Sequence, residues 1–317
     1  MAGHHCPANL AMIMCVQDEE QFLAAHLAYH RHLGVERAYV YLDRCGPSTR
    51  NLLDRYPWVH TIVRDYHDRH LVLHQMACAD DALQRARAEG FTWLMHLDAD
   101  EFALAEEVAS VSDAAGSLPA MLADVPADTL QVRLGSREVV PLRGMADQPF
   151  WKLTYFQGRG VIIRDLQDPL TGEIHRLQRW LGHDRGKSIV RTAADVQAAD
   201  SHVWTVNQHC RLPRKQELPT AYRGHCHHFV VVSATHWLAK YRKLARVDPP
   251  RWPRGKPVEF PKQCWKEASL GMTDADAARY FETWIALSRS DLEPFVRRGV
   301  VVEETLVERI LTSIMPA

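Results

Sequence analysis

The stretch Trp93-Leu94-Met95-His96-Leu97-Asp98-Ala99-Asp100-Glu101-Phe102 decides the reading of this chain, because an apolar strand runs directly into three acids. An extended backbone places residues i and i+2 on one side, so Asp98 and Asp100 are expected to converge on one hard divalent cation. A D-x-D triplet alone is a common solvated turn. At the carboxyl end of a buried strand, where open α/β sheets bind ligands, it is a candidate site for a metal-held diphosphate.

Working outward, the first third of the chain alternates short apolar runs with amphipathic stretches. Strands are expected at Leu10–Val16, Arg37–Leu42, Val59–Arg64 and Thr92–Leu97, and helices at Glu19–Leu33, closed by Gly34, and Leu73–Glu89. Such alternation predicts a mixed, mostly parallel α/β sheet flanked by helices. Beyond residue 125 the pattern shortens, with strands expected at Thr129–Leu134 and Lys187–Thr192 between Gly- and Pro-containing loops. Residues 234–247 and 274–289 return to helical periodicity, separated by a segment, 248–261, with five prolines. The expected organisation is a nucleotide-binding half over 1–125, an acceptor-binding half of the same domain over 126–233, and a helical carboxyl-terminal region over 234–317.

Composition narrows the classes further. The chain has 317 residues, 46% of them hydrophobic, which is ample for a globular core. Its 38 basic and 39 acidic residues leave a formal charge of −1, which gives no basic footprint for nucleic acid. Seven scattered cysteines, an odd number, fit reduced thiols better than a disulfide framework. The amino terminus lacks the pattern of a signal peptide, and no uninterrupted apolar run reaches the roughly 20 residues of a spanning helix. A cytoplasmic protein is expected, with peripheral membrane contact open to it.

Several further features fall in one order: Val16-Gln17-Asp18-Glu19-Glu20 after the first strand, His30-Arg31-His32-Leu33-Gly34-Val35 closing the helix, Tyr41-Leu42-Asp43 after the second strand, Gln75 on the next helix, and Leu97-Asp98-Ala99-Asp100-Glu101-Phe102. In that order and spacing they resemble the family-2-like bacterial glycosyltransferases of the GT-A fold, the group related to the family 92 galactosyltransferases. The resemblance covers residues 10–110 well. It continues more weakly through Gly186-Lys187-Ser188-Ile189-Val190-Arg191 and His228-Phe229-Val230-Val231-Val232-Ser233.

The resemblance implies a GT-A core and metal-assisted transfer of a hexose from a UDP-sugar to a hydroxyl of a glycan or lipid-linked saccharide, with inversion, as in polysaccharide biosynthesis. It implies that Asp43 accepts a hydrogen bond from the nucleotide base, with Glu19 and Gln75 lining the donor site. Asp98 and Asp100 would hold Mn²⁺ or Mg²⁺ with the help of His228. Lys187 would balance diphosphate charge as an ammonium point charge. An inverting transfer also needs a carboxylate base near the acceptor hydroxyl, for which Glu138 and Glu217 are the candidates. Glu101 would orient the metal-binding acids. Two departures stand out: Gln17-Asp18-Glu19 replaces the family's Lys-Asn-Glu and loses a positive charge, and Phe229 replaces a tyrosine.

Rival classes fit less well. Nucleotidyltransferases follow their first strand with a glycine-rich phosphate loop, where this chain has Gln17-Asp18-Glu19-Glu20. Haloacid-dehalogenase phosphatases carry D-x-D on the first strand, not the fourth. A zinc-organised interaction module remains open through His209, Cys210, Cys226 and His228, although adjacent ligands at 209 and 210 are awkward for zinc. A catalytically inactive, sugar-nucleotide-binding relative would carry the same acids.

Overall fold

The computed structural model describes residues 8–64, 71–145, 147–158, 162–177, 186–200, 202–206, 218–247 and 261–315. In chain order its elements are β1 (Leu10–Val16), α1 (Glu20–His32), β2 (Val35–Leu42), α2 (Pro47–Leu53), β3 (Val59–Val63), α3 (Leu71–Ala88), β4 (Trp93–His96), β5 (Glu101–Leu104), α4 (Ser117–Ala123) and β6 (Gln131–Glu138). There follow β7 (Tyr155–Gln157), β8 (Arg164–Gln167), β9 (Ile174–Leu177), β10 (Lys187–Arg191), β11 (Val196–Ala198), β12 (Trp204–Val206) and β13 (Thr220–His228). The carboxyl-terminal part holds α5 (Ala234–Val247), α6 (Lys262–Gly271), α7 (Asp274–Tyr280), α8 (Arg289–Arg297), β14 (Val301–Glu303) and α9 (Leu306–Ile314).

The chain forms two compact units, one from Met1–Ser136, Asp184–His228 and Arg309–Ala317, the other from Arg137–His183 and Phe229–Glu308. The first is built on a mixed eight-stranded sheet of order β3-β2-β1-β4-β10-β6-β13-β5. Pairings β3–β2, β2–β1 and β1–β4 are parallel, as the βαβ alternation predicts, and β10 turns the sheet antiparallel against β4 and β6. β1 is flanked on both sides, and Leu10 to Met14 are wholly buried. A strand covered on both faces reads as a continuous apolar run, which is why LAMIMCV was legible. α1 stops where expected: Gly34 adopts φ +100°, and a Cβ there would lie 2.7 Å from Pro119 Cδ.

The second unit has an aromatic core. Trp265 lies edge-on to Trp237 and Tyr241, Trp237 stacks on Tyr280, and Trp265 Nε1 donates to the Tyr280 hydroxyl at 3.0 Å. The expected continuous helix over 274–289 is divided. α7 ends at Tyr280, a wide π turn covers Phe281–Ile285, and α8 starts afresh behind Ser288. Ser288 and Asp291 form a reciprocal capping box, a local start signal that overrides the run of helical periodicity. The carboxyl-terminal part also contributes a strand, β14, which pairs with β7. No helix among the described residues is long and apolar enough to cross a membrane.

Candidate active site at the end of β4

β4 ends at His96, and the acids that follow lie on a tight turn, not on the extended strand expected from their spacing. The Glu101 amide donates to the Asp98 carbonyl at 3.0 Å, and the Asp98 amide donates to Glu101 Oε2 at 2.8 Å. Glu101 therefore closes its own turn from both ends. Its side chain is almost fully buried, as befits a group that fixes the acids and does not meet solvent.

Lys187, the first residue of β10, is buried to 1% exposure, with its ammonium 2.8 Å from Asp98 Oδ2 and 3.0 Å from Glu101 Oε2. Gly186 sets it there: φ is +63°, and a Cβ would come within 1.9 Å of the Leu134 carbonyl oxygen. Burial alone would discharge the lysine, but Asp98 and Glu101 overcome that and hold it above its ordinary value. Burial likewise works against ionised Asp98, yet Lys187 keeps it well below the usual carboxylate range. Glu101 goes the other way, pushed up to about 7 by burial that the lysine only partly offsets. His96, beneath the turn, is pulled down to about 4 by burial and by the nearby ammonium. Gln75 of α3 reaches Asp98 Oδ1 at 3.4 Å.

Asp100 faces another partner, with its Oδ2 3.5 Å from His228 Nε2 at the end of β13. Both side chains are slightly exposed, at 13% and 12%. The register that brings them together is the antiparallel β5–β13 pairing, in which His228 opposes Glu101.

The turn is also clamped from below by two histidines of α1: His26, which the sequence reading passed over, and His30, quoted there only as part of the stretch that closes the helix. His26 Nδ1 lies 3.2 Å from the Ala99 carbonyl oxygen, so that nitrogen carries the proton. His30 Nδ1 donates to the His26 carbonyl at 2.9 Å, leaving Nε2 to accept from the Ala103 amide at 3.2 Å. Both rings are fully buried beside Phe102. The available signal was their spacing: two histidines one helical turn apart among the buried residues Phe22, Leu23, Leu27 and Tyr29.

The remaining candidates are placed as follows. Asp43 follows β2 with only 7% exposure, and its two oxygens meet the Arg44 fork at 3.0 Å each. Glu19 caps α1, its carbonyl accepting from the Phe22 and Leu23 amides. Asp18 and Arg44, at the ends of β1 and β2, both hold positive φ, and Asp18 Oδ1 ties the two loops by accepting from the Gly46 amide. Glu138 is buried in the second unit. Glu217, His209 and Cys210 lie outside the described residues, whereas Cys226 is a buried cysteine on β13.

The structure thus brings Asp98, Asp100, Gln75, Lys187 and His228 together at the carboxyl edge of the sheet, with Glu19 and Asp43 following the neighbouring strands. The model of glycosyltransferase family 92 matches residues 11–264. A glycosyltransferase-like protein of Arabidopsis thaliana is 24% identical over 208 residues, 56% of this chain and 44% of that protein, so the chain spans less than half the length of the curated relative. Among solved structures, 4-diphosphocytidyl-2C-methyl-D-erythritol synthase is 14% identical with a TM-score of 0.30, covering 59% of this chain and 76% of that one. HddC from Yersinia pseudotuberculosis is 10% identical with a TM-score of 0.33, covering 68% and 90%. With its family model spanning β1 to α6, the chain belongs to glycosyltransferase family 92.

Proposed function

We propose that this chain transfers a hexose from a UDP-sugar to a hydroxyl of a glycan or lipid-linked saccharide, with metal assistance and inversion. The observation that carries the reading is the Asp98–Glu101 turn at the end of β4, where the parallel run of strands meets antiparallel β10, with Asp100 facing His228. A carboxylate oxygen and an imidazole nitrogen are donors that Mn²⁺ accepts. Two donors are short of a full shell, which suits an ion completed by water and diphosphate oxygens. In this reading Asp100 and His228 would hold the ion directly, and Asp98, already engaged by Lys187, would act through water or a ribose hydroxyl. The ion would neutralise charge on the departing diphosphate.

The chain's own residues supply the rest. Glu101, His26 and His30 hold the turn rigid before substrate arrives, the preorganisation that makes electrostatic stabilisation effective. Lys187 keeps Asp98 ionised. Asp43 is proposed to meet the nucleotide base by exchanging its Arg44 partner, and Glu19 and Gln75 to line the donor pocket. For the base that activates the acceptor hydroxyl, Glu138 and Glu217 are the residues to test. Reduced cysteines at Cys15, Cys45, Cys78, Cys226 and Cys264 support a reducing, cytoplasmic setting.

Isothermal titration of the protein with UDP, with and without Mn²⁺, tests the reading. Binding that requires both Mn²⁺ and Asp100 is expected, followed by hydrolysis or transfer of a UDP-hexose. Metal-independent UDP binding, or binding unchanged in Asp100→Ala, would remove the metal site from the proposal.

A further inference from the structure

A second constellation of ligating atoms lies in the same unit, on residues that the donor site does not use. Cys15 is near the end of β1, and His74 and Cys78 sit one turn apart on α3, so their side chains leave the helix on one face. Cys15 Sγ, His74 and Cys78 Sγ offer ligand atoms that all lie within 4.8 Å of one another. His74 Nε2 is 3.6 Å from Cys78 Sγ. A tetrahedral zinc ion with bonds of about 2.3 Å to sulfur and about 2.1 Å to nitrogen would space those two atoms roughly 3.6 Å apart. His74 and Cys78 are buried and Cys15 is partly exposed, which leaves an approach for an ion.

We propose that Cys15, His74 and Cys78 form a binding site for a thiophilic divalent cation of the zinc class, distinct from the oxygen-rich site at Asp100 and His228. Two sulfurs and one imidazole make a soft donor set that rejects Mg²⁺ and Mn²⁺ and favours Zn²⁺ or Co²⁺. Two thiolates would also balance the charge of the ion, and water would take the fourth position. The thiols are prepared for it. The neighbouring Cys15 and His74 side chains draw the Cys78 thiol down to about 6, while Cys15 is raised by the nearby Cys78 and by burial. A bound cation would displace the protons of both thiols, as thiolate ligation requires.

The consequence is structural and reaches the donor site. An ion bridging β1 and α3 fixes the first turns of α3, where Gln75 follows His74 and reaches Asp98. In the absence of the ion the same three side chains pack as a small buried cluster beside the sheet core, which includes Cys78, Ala79 and Ala82.

The test is titration of the reduced, full-length protein with Co²⁺ under anaerobic conditions, followed by displacement with Zn²⁺. One equivalent of Co²⁺ should give a thiolate-to-cobalt charge-transfer band that Zn²⁺ abolishes. Cys15→Ser and Cys78→Ser should each remove the band, His74→Ala should weaken binding at least tenfold, and Asp100→Ala should leave it unchanged. Zn²⁺ should also raise the melting temperature of the wild-type protein and slow modification of two thiols by a disulfide reagent. These last readings need no variant, so a poorly folded substitution leaves the proposal testable. Absence of a thiolate band in the wild-type protein, or a band that survives both cysteine substitutions, would overturn it.

Discussion

The ammonium of Lys187 is buried against Asp98, 2.8 Å from Oδ2, and the same nitrogen lies 3.0 Å from Glu101. The lysine is therefore part of the support of the acidic turn, and the charge of that turn cannot be altered without changing its stability.

Lys187→Met should destabilise the protein by about 3–5 kcal/mol, because it strands two carboxylates, one of them fully buried. Urea denaturation at pH 8, where Glu101 is ionised, checks the size of the loss. Equal midpoints for the variant and the wild type would mean that water replaces the lysine.

Asp98→Ala and Asp100→Ala should differ. The first removes a direct partner of a buried cation and should cost roughly 1–3 kcal/mol, less than the lysine change because Glu101 still pairs and Asp98 is partly screened by solvent. Asp100→Ala should cost about 1 kcal/mol, since it breaks a long 3.5 Å contact to His228 and not the pairing of a buried ammonium. Thermal midpoints of the two variants measure the difference, and Asp100→Ala is thereby the cleaner probe of activity.

Acid should loosen the clamp under the turn. Burial holds His30 down to about 3 and keeps His26 well below its ordinary value, so both are neutral when folded. In the unfolded chain they titrate near 6.5. The unfolded state therefore binds more protons as pH falls below about 6.5, and stability declines from there toward pH 3. For His30 alone the loss is about 2 kcal/mol at pH 5. Protonating Nε2 would also set it against the Ala103 amide, two donors facing each other. Unfolding free energy measured from pH 7.5 to 5 should fall more steeply for the wild type than for His30→Gln, which is less stable at neutral pH.

Gly186→Ala should be costly out of proportion to one methyl group. The left-handed backbone alone accounts for about 1–2 kcal/mol, and the new Cβ would overlap the Leu134 carbonyl. Because Lys187 is the next residue, UDP affinity in the presence of Mn²⁺ should weaken along with the melting temperature. A loss of stability with unchanged affinity would separate the strand from the site.

Much of the first unit was legible because its code is local. β1 covers the residues its apolar run marked, and the acids fall at a strand end, where a hydrophobic period breaks. Short elements such as α2, α4 and β5 escaped, since four to seven residues carry too little periodicity. The resemblance picked out His228 beside the two aspartates, and Lys187, but not the pairing of Lys187 with Asp98 and Glu101.

The sequence by itself determined the alternation of the longer strands and helices in the first hundred residues, the position of the acidic triplet and the family, because apolar periodicity and residue spacing are properties of contiguous chain. Tertiary structure alone decided that Lys187 enters the acidic turn, that the His228 imidazole reaches Asp100, that His26 and His30 grip the backbone of the turn, and that Cys15 meets His74 and Cys78. Those contacts join residues about 60 to 130 positions apart, or the two faces of a helix and a sheet. Their geometry is set by strand order and register, which the local pattern does not encode.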